Sequence, residues 1–285
     1  MGIGLALLCA LATQLGFLCK HRGAVCAPQV RIQQPLRSAR ALFASRWFAI
    51  GMAIAAGSFL LHVGALALAP LSTVQAVLST GVVMLAVLGN RLFGHAVTRR
   101  QWVGLGMTAT GLALLVVTLP SPDGTGSHFA MPGLLAFEAA TLVLGALLIA
   151  APRMGAPAHH HGVLLGAAAG VLIGVSDVAV KALTGLAGDG MLGVIASPWL
   201  PIAVLAGVLA FLASARGFQE GEAVPVIAST STAANLTCIV GGIVVFGDAL
   251  AAGILLGVQL AAFALVAAAA LVTPCGHGRP AVQAV

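Results

Sequence analysis

Asp177 and Lys181 stand four residues apart in "GVLIGVSDVAVKALTG" (170–185), a run otherwise apolar enough to cross a membrane. On a helix, an acid four residues before a base shares its face in the favourable orientation for an ion pair. Paired, the two charges avoid the several kcal/mol that an isolated buried ion costs, so the spacing predicts a salt bridge. Two roles stay open to the pair. It is either a neutralised structural element, with Lys181 reaching outward along its stem, or a group that touches substrate or exchanges protons. Glu138, in "MPGLLAFEAATLVLG" (131–145), has no basic residue three or four positions away. Such a carboxyl must be protonated, paired across helices, or facing water. Proton or cation coupling and a simple inter-helix hydrogen bond are both open to it. His62, in "SFLLHVGALAL" (58–68), is either a packing histidine or a further titrating group. Ionisable side chains inside a span are costly and point to function by default.

Two runs are polar without being charged. "STVQAVLST" (72–80) holds Gln75 and Ser79 one helical turn apart, and "ASTSTAANLTC" (228–238) holds Ser231 and Asn235 at the same spacing. Side chains of this kind line a central transport cavity or hydrogen-bond helix to helix. Softer ligands carry less. Cys19, His21 and Cys26, the pair Cys275 and His277, and the turn His159, His160 and His161 match no zinc-site spacing. No metal site or cofactor is expected. Nor is there a nucleophile with its base or a phosphate-cradling loop, so an enzyme has no support.

The elements that position these groups must be membrane helices. Of 285 residues, 60% are hydrophobic and 7% charged, and the mean hydropathy is +1.09, whereas soluble domains carry about 25% charged residues. A bilayer core about 30 Å thick needs about 20 apolar residues per helical span. Nine stretches qualify: 2–19, 47–69, 71–93, 101–119, 133–152, 163–184, 199–217, 222–247 and 250–274. The expected fold is an all-α integral membrane protein of nine transmembrane helices. The polar, basic stretch 20–46, with Pro28 and Pro35, reads as the one long loop.

Charge placement sets the orientation. With the N-terminus outside, Lys20, Arg22, Arg31, Arg37, Arg40 and Arg46 fall inside, followed by Arg91, Arg99, Arg100, Arg153, Arg216 and Arg279. Only Lys181 among the 13 basic residues lies within a span, while Asp123, Asp189 and Asp248 fall outside. The expected place is the cytoplasmic membrane, with the C-terminus cytoplasmic. A net charge of +6 spread in this way points to anionic lipid headgroups near the first loop rather than to nucleic acid.

The chain also matches itself. Sliding Phe93 onto Phe246 aligns "FGHAVTRRQWVG" (93–104) with "FGDALAAGILLG" (246–257) and sets Gly64 on Gly217. In the threading above, the first copy ends its helix inside and the second outside, which makes an inverted repeat, a mark of secondary transporters. One polytopic domain is expected over 1–285, with pseudo-repeats at about 1–119 and 133–274 joined by an outer loop at 120–132.

"ALALAP" (65–70), "FGHAVTRRQWVGLGMTATGLALLVV" (93–117) and "FGDAL" (246–250) resemble the drug/metabolite transporter superfamily of EamA-like proteins. "GFLCKHRGA", the long basic loop, "MPGLLAF" and "DVAVKAL" are similar to its NIPA-type branch, described as magnesium transporters. In that pattern Asp248 keeps the expected acid of the second copy and Lys181 is retained. His95 replaces the acid of the first copy, and Asp177 stands where the branch has a small polar residue. The resemblance implies an inverted-repeat bundle that moves a small metabolite or drug-like solute by alternating access, with a divalent cation as the alternative substrate. A non-transporting scaffold is the third option, and a homo-oligomer is open. Magnesium prefers hard oxygen ligands, and the spans offer only Glu138 and Asp177, the latter offset by Lys181.

Overall fold

The computed structural model describes residues 2–68, 81–93, 98–118, 131–186, 195–246 and 253–272. Gln75, Ser79, His95, Asp123, Asp189, Asp248, Cys275 and Arg279 lie outside them, as does nearly all of the 120–132 loop. All regular structure among the described residues is helical: α1 (Gly2–Val25), α2 (Pro35–Phe43), α3 (Arg46–Leu68), α4 (Gly81–Phe93), α5 (Arg99–Thr118), α6 (Met131–Ala150), α7 (His161–Leu186), α8 (Trp199–Glu220), α9 (Ala223–Phe246) and α10 (Ile254–Val272). Two 3-10 turns, Ala151–Met154 and Ala158–His160, join α6 to α7.

Five of these helices are long and apolar enough to cross a membrane, and a sixth span results if α2 and α3 count as one. The chain is a multi-pass all-α membrane protein. The described residues carry fewer spans than the nine stretches of the sequence, and the stretches left over, 47–69, 71–93, 101–119 and 250–274, each run into positions outside the description.

The supposed loop at 20–46 needs correction. α1 continues through the basic run to Val25, and α2 forms inside the remainder. Pro35 opens α2, where its fixed φ suits the first helical position and no N–H is missed. α2 meets α3 at 95°. Ser38 and Leu42 turn inward, while Leu36, Arg37, Arg40 and Phe43 are exposed. A short two-faced helix lying across the end of a span has the form of an interfacial segment.

One side chain ties this region down. The Gln219 amide of α8 donates to the carbonyls of Ala24 (2.8 Å), Ala27 (3.2 Å) and Pro28 (3.1 Å), and its oxygen accepts the Val30 N–H (2.8 Å). Gln219→Ala strands a buried N–H at Val30, and an unsatisfied buried group costs about 1–3 kcal/mol. The variant is expected to melt below the parent; an unchanged Tm in the same detergent would refute the clamp.

Packing gathers into two clusters. At the end carrying the basic residues, Leu18, Leu42, Phe48, Leu85, Leu105, Leu212, Phe218 and Val226 interdigitate. At the opposite end Leu134, Phe137, Val178, Ala182, Trp199 and Val245 do so. α7 is central, packed on α6, α8 and α9. The register that sets Phe93 on Phe246 also sets α1 on α7, α3 on α8 and α4 on α9, and the partnerships recur: α1 packs on α3 and α4, and α7 on α8 and α9.

Local chemistry explains individual starts and contacts. "TRRQ" opens α5 as a capping box: the Gln101 N–H donates to Thr98 Oγ1 (3.3 Å) and the Thr98 N–H to Gln101 Oε1 (2.9 Å). On α7, Gly162, Gly166, Gly170 and Gly174 recur every four residues along one face. A Cβ at Gly170 would stand 2.3 Å from the Thr230 carbonyl oxygen, and one at Gly174 would stand 2.5 Å from Thr237 Cβ. The stripe lets α7 and α9 approach backbone to backbone, running in the same direction, as small residues do in membrane helix pairs.

Candidate functional site at the junction of α6, α7 and α9

The close approach of α7 and α9 decides what their polar side chains meet. The Cys238 thiol of α9 donates to Asp177 Oδ2 of α7 at 3.6 Å. Lys181 Nζ sits 4.1 Å from the centroid of the Phe246 ring of α9, a cation–π arrangement. The salt bridge expected from their spacing is not formed: the ion pairs among the described residues are those of Glu220, and Asp177 and Lys181 each engage the facing helix instead. Both also stand at a surface that the described residues do not cover.

Glu138 is placed differently. It is 2% exposed, and among the described residues neither carboxyl oxygen has a hydrogen-bond partner. An inter-helix hydrogen bond, one of its two open roles, is therefore absent among those residues. Thr141, one turn on, spends its hydroxyl on the carbonyls of Phe137 and Glu138 themselves. The level of Glu138 along the bundle follows from its neighbour. A Cβ at Gly241 of α9 would lie 2.5 Å from Val178 Cγ2 and 3.1 Å from Phe137 Cζ. Glu138 and Asp177 each adjoin, in the chain, a residue seated on that one glycine. The two carboxyls therefore share one level of the junction, with Glu138 enclosed, Asp177 open and Lys181 one turn further along α7 against Phe246.

The remaining candidates divide. Ser231 and Asn235 are half-buried on α9, in a run where Ser229 donates to the Val163 carbonyl (3.0 Å) and Thr230 and Thr237 donate to carbonyls of their own helix. Helix-to-helix bonding thus accounts for Ser229. His62 falls on α3 by position, and Gln75 and Ser79 lie outside the described residues. Among the described residues no three His, Cys, Asp or Glu side chains gather as a metal cluster.

Sequence reasoning passed over two polar groups. Gln14 of α1 is 5% exposed, and its Oε1 has no partner among the described residues. Its Nε2 lies 3.1 Å from where a Cβ on Gly81 would stand, against α4. Beside it, Thr13 bonds to Ser58, whose carbonyl and hydroxyl also meet Cys9 at 3.3 and 3.6 Å. A lone amide inside the first apolar run was the available signal for Gln14. Nothing local marked Cys238.

This is the architecture of a polytopic helical membrane protein with ionisable groups inside its spans. The chain is 22% identical, over 258 residues covering 87% of it and 74% of the relative, to a protein of Arabidopsis thaliana described as "Probable magnesium transporter NIPA9". No family model matches the chain, and no solved structure matches it.

Proposed function

We propose that this protein is a membrane transporter for a cation, magnesium-like in charge and hardness, with Glu138 as the carboxyl that binds the ion or the proton exchanged for it. The observation that carries this is the enclosure of Glu138 without a partner among the described residues. An enclosed carboxyl of that kind is either neutral through a proton or balanced by a cation. Magnesium keeps several of its waters and uses one or two protein carboxylates, so Glu138 and Asp177 at one level suffice without a full cage. The similarity to the Arabidopsis protein favours this substrate over the metabolite expected from the polar runs. A small-solute substrate is the second option, favoured by Ser231 and Asn235 on α9. The similarity to a protein described as a transporter favours transport over enzymatic chemistry.

The mechanism we propose is alternating access between two inverted halves, threaded through nine spans with the N-terminus outside. The recurring partnerships of α1 and α7 support the repeat, and the confinement of all the basic residues but Lys181 to one side supports the threading. The test is flux. In proteoliposomes the parent is expected to take up magnesium down its gradient, followed by a trapped indicator. Glu138→Gln keeps the shape and removes the charge, and it is expected to lower the rate at least about tenfold, the discrimination lost with one charge-assisted contact, at parental Tm. Parental uptake by Glu138→Gln would refute its role. Absence of divalent flux in the parent, beside flux of an organic solute, would replace the substrate.

A further inference from the structure

Away from the junction, at the end carrying the basic residues, the segment between α1 and α2, the turn after α6 and the end of α8 enclose a cavity of about 300 Å³. Arg31, Arg153 and Arg216 line it with the amides of Gln29 and Gln33, and the described lining contains no acid. Among the described residues, only Arg216 is met by a carboxylate from outside the lining: its Nε donates to Glu220 Oε1 at 2.6 Å, and Glu220 Oε2 faces His161 Nδ1 at 3.7 Å. Three guanidiniums against one carboxylate leave the cavity positive.

Its wall is anchored rather than loose. Gln219, on the same helix as Arg216, holds residues 24–30 through the four bonds described above. Ser38 of α2 accepts the Arg31 N–H (3.0 Å) and donates back to the Arg31 carbonyl (3.1 Å). The backbone on both sides of the Arg31 approach is therefore set before any ligand arrives. Guanidinium groups converge in this way on phosphate oxygens, which they bind through paired N–H donors. Basic cavities at helix ends on one membrane face take phosphate-bearing headgroups.

We propose that this cavity binds a phosphate-bearing anion through Arg31, Arg153 and Arg216, bridging the segment after α1 to the ends of α6 and α8. A lipid phosphodiester and free phosphate share that chemistry, and the experiment separates them. The full chain in a neutral detergent is titrated with inorganic phosphate, followed by Tm, and separately with phosphatidylglycerol, followed by native mass spectrometry. Saturable binding of phosphate assigns a soluble anion; binding of phosphatidylglycerol without phosphate assigns a headgroup. In either case Arg31→Gln with Arg153→Gln is expected to weaken binding roughly 30-fold, from about 1 kcal/mol per basic residue near anionic charge. Arg153→Gln alone, on an exposed turn, is expected to cost roughly fivefold by the same figure. Arg37→Gln with Arg40→Gln, equal in charge lost but outside the lining, is the control. Binding of neither probe by the parent, an unchanged affinity in Arg153→Gln, or an equal loss in the control would overturn the proposal.

Discussion

Gly170→Leu is expected to abolish the folded protein, because the atoms in its way are backbone. A Cβ at that position meets the Thr230 carbonyl oxygen at 2.3 Å and the Ala234 nitrogen at 2.9 Å. A side chain there cannot be absorbed by rotating a neighbour; α7 and α9 would have to separate. Overpacking costs about 1–3 kcal/mol when side chains can yield, and here they cannot, so at least the top of that range is expected. Separation would also undo the contacts of Asp177 and Lys181 with α9, since both depend on the interval that the glycines set. The control is Gly106→Ala on α5, which has open space within 4 Å and should gain helix propensity. Size-exclusion profiles and Tm of the two variants decide the matter. A folded Gly170→Leu with parental Tm would show that the stripe does not hold α7 to α9.

That stripe shows what a sequence can and cannot reveal. Glycines at 162, 166, 170 and 174 are plain to see as a small-residue repeat, yet nothing in the chain names α9 as the helix they face. Glu138 was identifiable because an acid in a long apolar run contradicts its surroundings. Its enclosure, and the absence of a partner among the described residues, were not, because both depend on how α6 meets the rest of the bundle. Helix α2 was hidden by composition: Pro28, Pro35 and the arginines read as loop, while the inward turn of Ser38 and Leu42 needs a partner surface to become visible. Gln219 was silent for the same reason, since the carbonyls it caps lie on the other half of the chain. Apolar length marked helix positions, with edges within a few residues of those expected at α3, α6, α7 and α9, but not the count of spans: five described helices, or six with α2 and α3 as one, are long and apolar enough to cross, against the nine expected. Polar detail depends on neighbours distant in sequence, and there single-chain reasoning falls short.

The pair Asp177 and Lys181 permits a test in which structure and function predict opposite outcomes. If the two groups serve chiefly to cancel each other's charge within the span, removing one should harm more than removing both. Asp177→Asn removes the carboxylate one turn from the ammonium; both groups stand at the uncovered face of α7, so the expected cost lies below the about 3–5 kcal/mol of breaking a buried pair from one side. Lys181→Met leaves a carboxyl that can take up a proton, so its cost should be smaller. The contacts with α9 sharpen the design. The amide introduced by Asp177→Asn would still offer an oxygen to the Cys238 thiol. The thioether introduced by Lys181→Met would still lie against the Phe246 ring, a contact worth about 0.3–1.5 kcal/mol. The double variant therefore changes charge while keeping shape and both neighbours. It is expected to melt within about 1 kcal/mol of the parent, as replaced ion pairs do when the site stays filled. Tm for the two singles and the double, in one detergent, gives the coupling directly. Additive losses would refute charge cancellation. Flux through the double variant then assigns the role: parental uptake marks the pair as structural, whereas a folded double with no uptake places one of the two groups on the path of the transported ion, beside Glu138.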